Sequence, residues 1–229
     1  MNTIKNMTII EIDGRSWERH PIKTHFITPE DKLEDIVQKY ILPASKPGDV
    51  VALGQKIISI LQNKIVYRKD VKVGFWARCL SKFAKKTPHG FSVGNPLKMQ
   101  VAIDLAGLPR IFLAGLCSFV CKLFGVSGVF YIVAGNQINQ IDGFYGQAFP
   151  QYADMGILGP ENCDKLCADL KEKYGLSFFV ADVNDLGGNV LGKTPDLEEE
   201  FLIKVLKDNP AGQSDEQTPI VIIRNESAK

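Results

Sequence analysis

A chain of 229 residues, 45% hydrophobic and 23% charged, has the composition of an ordinary soluble globular protein and can bury a sizeable core as one large domain or two small ones. Its formal net charge of +1 gives no argument for a nucleic-acid or anionic-membrane footprint. The opening MNTIKNMTIIEID is charged early and has no long apolar run, so no signal peptide is expected.

In chain order, Thr8 to Ile12 and Lys23 to Ile27 read as strands. Thr28, Pro29 and Asp31 are a cap, a first-turn proline and an early acidic residue. The helix they open carries Leu33, Ile36, Val37, Tyr40 and Ile41 on one face. Gly48-Asp49 turns into a strand, Val50 to Leu53. The apolar segment Gln55 to Leu61 is expected to pair with Lys64 to Tyr67 across Gln62-Asn63. Val73 to Lys86 reads as a basic helix whose charges mark a solvated face. Thr87 to Pro96 is a Gly- and Pro-rich loop containing His89.

Leu97 to Leu105 and Ile111 to Phe124 read as helices broken at Gly107-Leu108-Pro109. The longest apolar stretch, Ile111 to Val120, is too short for a bilayer, which needs about 20 apolar residues. Being apolar on all sides, it is expected in the core. Gly128 to Val133 reads as a buried strand, Pro160 to Tyr174 as an amphipathic helix, and Ser177 to Ala181 as a buried strand. Thr194-Pro195-Asp196 opens a helix to about Lys207, and Ile220 to Ile223 is the last strand. The irregular alternation predicts an α+β fold with mixed sheets. Five cysteines, an odd count, suit a reducing cytoplasm. The pairs Cys117/Cys121 and Cys163/Cys167 lie on apolar helical faces and lack the Cys-x-x-Cys spacing of structural zinc, so they read as small core residues rather than a zinc site.

The chemistry concentrates in Ser177 to Gly192, SFFVADVNDLGGNVLG. A buried strand ends in Asp182, with Asp185, Gly187 and Gly188 close behind. Carboxylates at a strand end followed by a glycine-rich loop are what a Mg²⁺ or Mn²⁺ and nucleotide-phosphate site needs. The same residues also suit a turn capped by its own aspartates. Asp142, in GNQINQIDGFYGQ, is a third candidate metal ligand, or a turn residue before Gly143. Gly187 to Thr194, GGNVLGKT, matches the P-loop pattern in letters. Its context does not: acidic residues separate it from its strand, and Thr194 precedes Pro195 as a helix cap. Too few residues follow for further parallel βαβ units.

Three segments, GDVVALGQKIIS (Gly48 to Ser59), INQIDG (Ile138 to Gly143) with ADVNDLGG, and GQSDEQTPIVIIR (Gly212 to Arg224), together resemble the γ-glutamyl ligases of coenzyme F-420 biosynthesis. The early PIKTHFITPEDKLEDIV also resembles that family, and residues 71–128 fit it least well. The resemblance implies a single ligase-like domain over residues 1–229, built of two intertwined subdomains and forming a homodimer. It implies GTP-dependent attachment of L-glutamate to an acceptor carboxylate with Mg²⁺ or Mn²⁺, in the cytoplasm, without nucleic-acid or membrane partners. Lys56 would hold phosphate and act with Asp182 in catalysis. Asp142 and Asp182 would bind one metal, with Asp185 replacing a missing ligand. Gly212, Gln213 and Ser214 would touch nucleotide, Gln213 also touching a second metal. Lys23, Thr24, Asn139, Gly187 and Gly188 would complete the nucleotide contacts. The chain departs from the family at Val183, where a hydroxyl residue is usual, and at Tyr145, where asparagine is common. A folate-type acceptor, or a non-catalytic nucleotide-binding protein of the same fold, therefore stays open.

Overall fold

Asp13 and Gly14 both take left-handed backbone angles, with φ of 50° and 75°, as a two-residue Asp-Gly hairpin requires. They join β1 (Thr8–Ile12) to β2 (Arg15–Ile22) in register, Ile12 opposite Arg15. β2 takes the place of the expected strand Lys23 to Ile27, which is irregular chain. The computed structural model describes residues 7–84, 93–135, 137–144, 152–184, 187–212 and 217–226. The fold is α+β, with mixed sheets and several helices. It divides into two compact units: residues 1–63 with 160–229, and residues 64–159.

The first unit continues with α1 (Leu33–Ile36), which runs into a π-helical turn, Val37–Ile41, then β3 (Val50–Gly54) and α2 (Gln55–Leu61). The second unit holds β4 (Ile65–Tyr67), α3 (Phe75–Phe83), α4 (Pro96–Ala106), α5 (Leu108–Leu123), α6 (Val129–Ala134), β5 (Asp142–Gly143) and β6 (Met155–Ile157). The chain then returns to the first unit as α7 (Cys163–Tyr174), β7 (Ser177–Asn184), β8 (Gly187–Lys193), α8 (Glu199–Val205) and β9 (Ile220–Asn225).

In the first unit, six strands lie in the order β1-β2-β9-β3-β7-β8. β3 and β7 are parallel and every other neighbouring pair is antiparallel. A parallel pair needs a crossover, and this explains α2. By composition Gln55 to Leu61 suits a strand, yet it is helical, with Ile57, Ile58 and Ile60 buried. The central strands are buried on both faces. Val50, Ala52, Phe179, Ala181, Val221 and Ile223 face one way, in a core with Leu202 and Val205 of α8. Val51, Leu53, Phe178, Val180, Ile220 and Ile222 alternate with them and are equally buried. Burying a phenylalanine such as Phe178 or Phe179 (each 0% exposed) contributes about 2–3 kcal/mol. Arg19, itself buried, donates to the carbonyls of Val205 and Lys207 at the end of α8, satisfying acceptors that a helix end leaves over.

In the second unit, Asn95 caps α4 by accepting from the Leu97 amide (2.9 Å), with Pro96 following in the first turn. Gly107, at φ 81°, ends α4 and allows α5 to start at once. Two expectations fail here. Gly128 to Val133 is not a strand: β-favouring residues form α6, bounded by Gly128 and Gly135 at positive φ and packed along α5. Propensity yields to packing. Nor is Ile111 to Val120 a buried helix. Only Ile111 and Ala114 of α5 are buried, while Leu113, Leu116 and Phe119 face outward. A three-stranded sheet, β4-β6-β5, completes the unit.

Candidate functional site

The strand directions bring one set of termini to a common edge. The carboxyl ends of β2, β3 and β7 and the amino ends of β8 and β9 all lie at the same end of the six-stranded sheet. Gly54 pairs with Ala181. Lys56, in the first turn of α2, is therefore two residues beyond the last rung of the parallel pair, and Asp182, still in β7, is one residue beyond it; β3 and β7 themselves run about 4.8 Å apart. Lys23 and Thr24 leave β2 at this edge, Gly212 precedes β9, and Gly187 and Gly188 begin β8. In open parallel α/β sheets ligands bind outside the carboxyl ends of the strands; here β3 and β7 are the one parallel pair of the described sheet. Asp182 is exposed and Lys56 half-buried.

Two backbone bonds knit this edge. The Thr24 amide donates to the Gln217 carbonyl and the Gly54 amide to the Pro219 carbonyl, each at 2.9 Å. A Cβ on Gly54 would stand 3.1 Å from the Pro219 oxygen, so glycine permits this close approach. Thr24 is buried, and its hydroxyl donates to the His25 carbonyl at 2.8 Å, making it a tether within the protein. Beside it is a network that the sequence reading did not single out. His25 Nε2 lies 2.9 Å from Asp31 Oδ1, and His25 Nδ1 lies 2.7 Å from the Tyr40 hydroxyl, which also accepts the His25 amide. Burial opposes ionisation of Asp31, but hydrogen bonds from Thr28 and His25 hold its carboxyl below the ordinary value. The signal in sequence was a histidine directly after Lys23-Thr24, six residues before an aspartate; nothing local marks Tyr40 as its partner.

The expected strand end and glycine loop are a hairpin instead. β7 does not stop at Asp182 but runs to Asn184, and Gly187 to Lys193 is a strand paired with it, Asp182 opposite Asn189. Val180 faces Gly192 and Ala181 faces Val190, leaving Leu191 as a bulge. An extended strand cannot wrap a phosphate as a P-loop does. Lys193 donates its ammonium to the Leu197 carbonyl at 2.7 Å. Thr194 does not cap a helix either: α8 begins at Glu199, after Glu198. The amide of Leu197 instead closes a turn onto the Thr194 carbonyl.

In the second unit, Asp142 opens β5 opposite Ile157. Its neighbour Gly143 sits at φ 82°, where a Cβ would collide with the Met155 carbonyl. Asp142 is half-buried; its Oδ1 is buried and accepts no hydrogen bond, while the residue takes part in other interactions. Asn139 is exposed in the 3₁₀ turn Ile138–Gln140. Asp185, Gln213, Ser214, Tyr145 and His89 lie outside the described residues, as does the Val183 side chain. Among the described residues no three His, Cys, Asp or Glu side chains gather as a metal group. The donors that Asp142 and Asp182 offer are hard oxygens, the chemistry Mg²⁺ and Mn²⁺ prefer. Cys163 and Cys167 are buried, and burial pushes their thiols up to about 11 and about 12, as apolar packing residues behave. No protein-family model and no curated protein matches the chain.

Proposed function

We propose that this protein is a nucleotide- and metal-dependent ligase that joins L-glutamate to an acceptor carboxylate, as the coenzyme F-420 γ-glutamyl ligases do, with GTP as nucleotide. The observation that supports this reading most is the shared edge of the first unit. There a lysine and a carboxylate lie just past the last rung that pairs β3 with β7, with Lys23 following β2 and Gly187-Gly188 opening β8 at the same end of the sheet. In the proposed reaction the acceptor carboxylate attacks the γ-phosphorus, forming an acyl phosphate and releasing GDP. The glutamate amine then attacks the acyl carbon, expelling phosphate and losing a proton. Lys56 would neutralise phosphate charge and Asp182 would offer an oxygen ligand to a divalent ion, whose Lewis acidity would be the chemistry it supplies to phosphoryl transfer. Such chemistry asks the protein mainly to position and neutralise. We place the enzyme in the cytoplasm as a homodimer, in keeping with the same resemblance.

The test is GTP turnover with Mn²⁺ and L-glutamate over deazaflavin and folate-type acceptors, products read by mass. Phosphate release matched by one added glutamate mass is expected, with kcat falling about a hundredfold or more in Lys56→Ala and Asp182→Ala. GTP binding with no mass gain on any acceptor would instead favour a non-catalytic nucleotide-binding protein, the outcome for which Val183 and Tyr145 are the motive.

A further inference from the structure

The net charge of +1 conceals an asymmetry. Residues 64–159 carry eleven Lys and Arg against four Asp and Glu, a net +7, so the rest of the chain stands at −6. The same unit exposes a large apolar face. On α5, Leu116 is 62% and Phe119 65% exposed, with Leu113 and Leu123 beside them. The face continues onto α3, where Trp76 meets Phe112 of α5 edge-on, ring centres 5.1 Å apart, and itself touches Phe75. Both helices lack acidic residues. Their exposed charges are Arg78 and Lys82 on α3, and Arg110 and Lys122 at the two ends of α5. No single helix among the described residues is long and apolar enough to cross a membrane; α4 and α5 reach that together but meet at 113°.

We propose that this face docks on an anionic lipid surface, α5 lying in the plane of the leaflet. Exposed Leu, Phe and Trp flanked by Lys and Arg are the pattern of interfacial helices, and long basic side chains at helix ends reach the headgroups while their stems stay apolar. A second copy is the competing occupant, but apposing two such faces brings two units of net +7 together. Anionic lipid complements that charge. This inference does not depend on the proposed ligase activity, and it revises the sequence-based expectation of no membrane partner.

Flotation of the full-length protein with phosphatidylcholine vesicles, with and without phosphatidylserine, tests it. Binding about tenfold or more tighter to the anionic vesicles is expected, weakening as salt is raised, with Trp76 emission shifting to the blue. Leu116→Glu with Phe119→Glu removes exposed side chains, so folding should survive by circular dichroism while binding falls about tenfold or more. Lys82→Glu with Lys122→Glu should weaken only the anionic preference. Equal binding to both vesicle types, or none by the folded chain, overturns the proposal. So does a vesicle-free dimer that Leu116→Glu with Phe119→Glu splits while wild type ignores vesicles: the face then belongs to a second copy.

Discussion

At the residue scale, the clearest electrostatic commitment is Asp49. It is 2% exposed and accepts from Arg224 Nε at 2.9 Å and Nη2 at 2.6 Å, and from the Lys46 amide at 2.7 Å. The hydrogen bonds that Arg224 donates to Asp49 raise the pKa of its guanidinium. Arg224→Met would leave that carboxylate buried without its cation, so we expect a loss of about 3 kcal/mol in urea denaturation. Asp196 is a contrasting, more exposed case. Burial works against its charge, but bonds from Lys171 and Ser177 lower its pKa to about 2. A depressed carboxylate stabilises the fold above its unfolded pKa and loses that contribution as pH falls through the folded value. The Asp196 share is therefore complete above about pH 5 and disappears towards pH 2. Solvent screening keeps it below about 1 kcal/mol, and Asp196→Asn should flatten that part of the stability–pH curve. Neither pair was visible in sequence, because Asp49 and Arg224 are 175 positions apart and only the β3–β9 pairing joins them.

At the element scale, α7 and β8 meet without room to spare. A Cβ on Gly192 would lie 2.4 Å from both the backbone carbon and the Cβ of Cys163. Backbone on both sides leaves little to yield, so Gly192→Ala should cost about 2–3 kcal/mol, read as a lower thermal midpoint. The same packing protects thiols. Iodoacetamide at pH 8 should modify Cys79, Cys117 and Cys121, which are half-buried, well before Cys163 and Cys167; peptide mass mapping would separate the two sets. Elements with an unambiguous period, such as α7 and β3, were legible; the caps were not, since α1 starts at Leu33 and α8 at Glu199, each several residues after the expected Thr28 and Thr194. Gln55–Leu61 and Val129–Ala134 were not. Short Val- and Ile-rich runs suit either state, and here a crossover between parallel strands and a groove along α5 decide for helix.

At the scale of the whole molecule, the second unit is an insertion in the crossover between β3 and β7. Its entry and exit are held together: the Gln62 side chain donates to the Glu161 carbonyl at 2.9 Å and accepts the Glu161 amide at 2.8 Å. The Leu158 amide meets the Lys64 carbonyl at 2.9 Å. The first unit also owns its six-stranded sheet and its core. Joining Asn63 to Pro160 through a short Gly-Ser linker should therefore leave a chain that still unfolds cooperatively, with strand-rich circular dichroism. A non-cooperative melt would show that the first unit needs the insertion to fold.

The sequence by itself determined the class of fold and most helices, and it named the carboxylates and lysines whose chemistry suits a metal or a phosphate, since these follow from local periodicity and side-chain type. Only the tertiary structure decided that Lys56 and Asp182 lie just past the last rung pairing β3 with β7, that GGNVLGK is an edge strand, and that α5 is half exposed. Those facts depend on which distant segments pair and which surfaces stay uncovered, and a strand's neighbours are not written in its own residues.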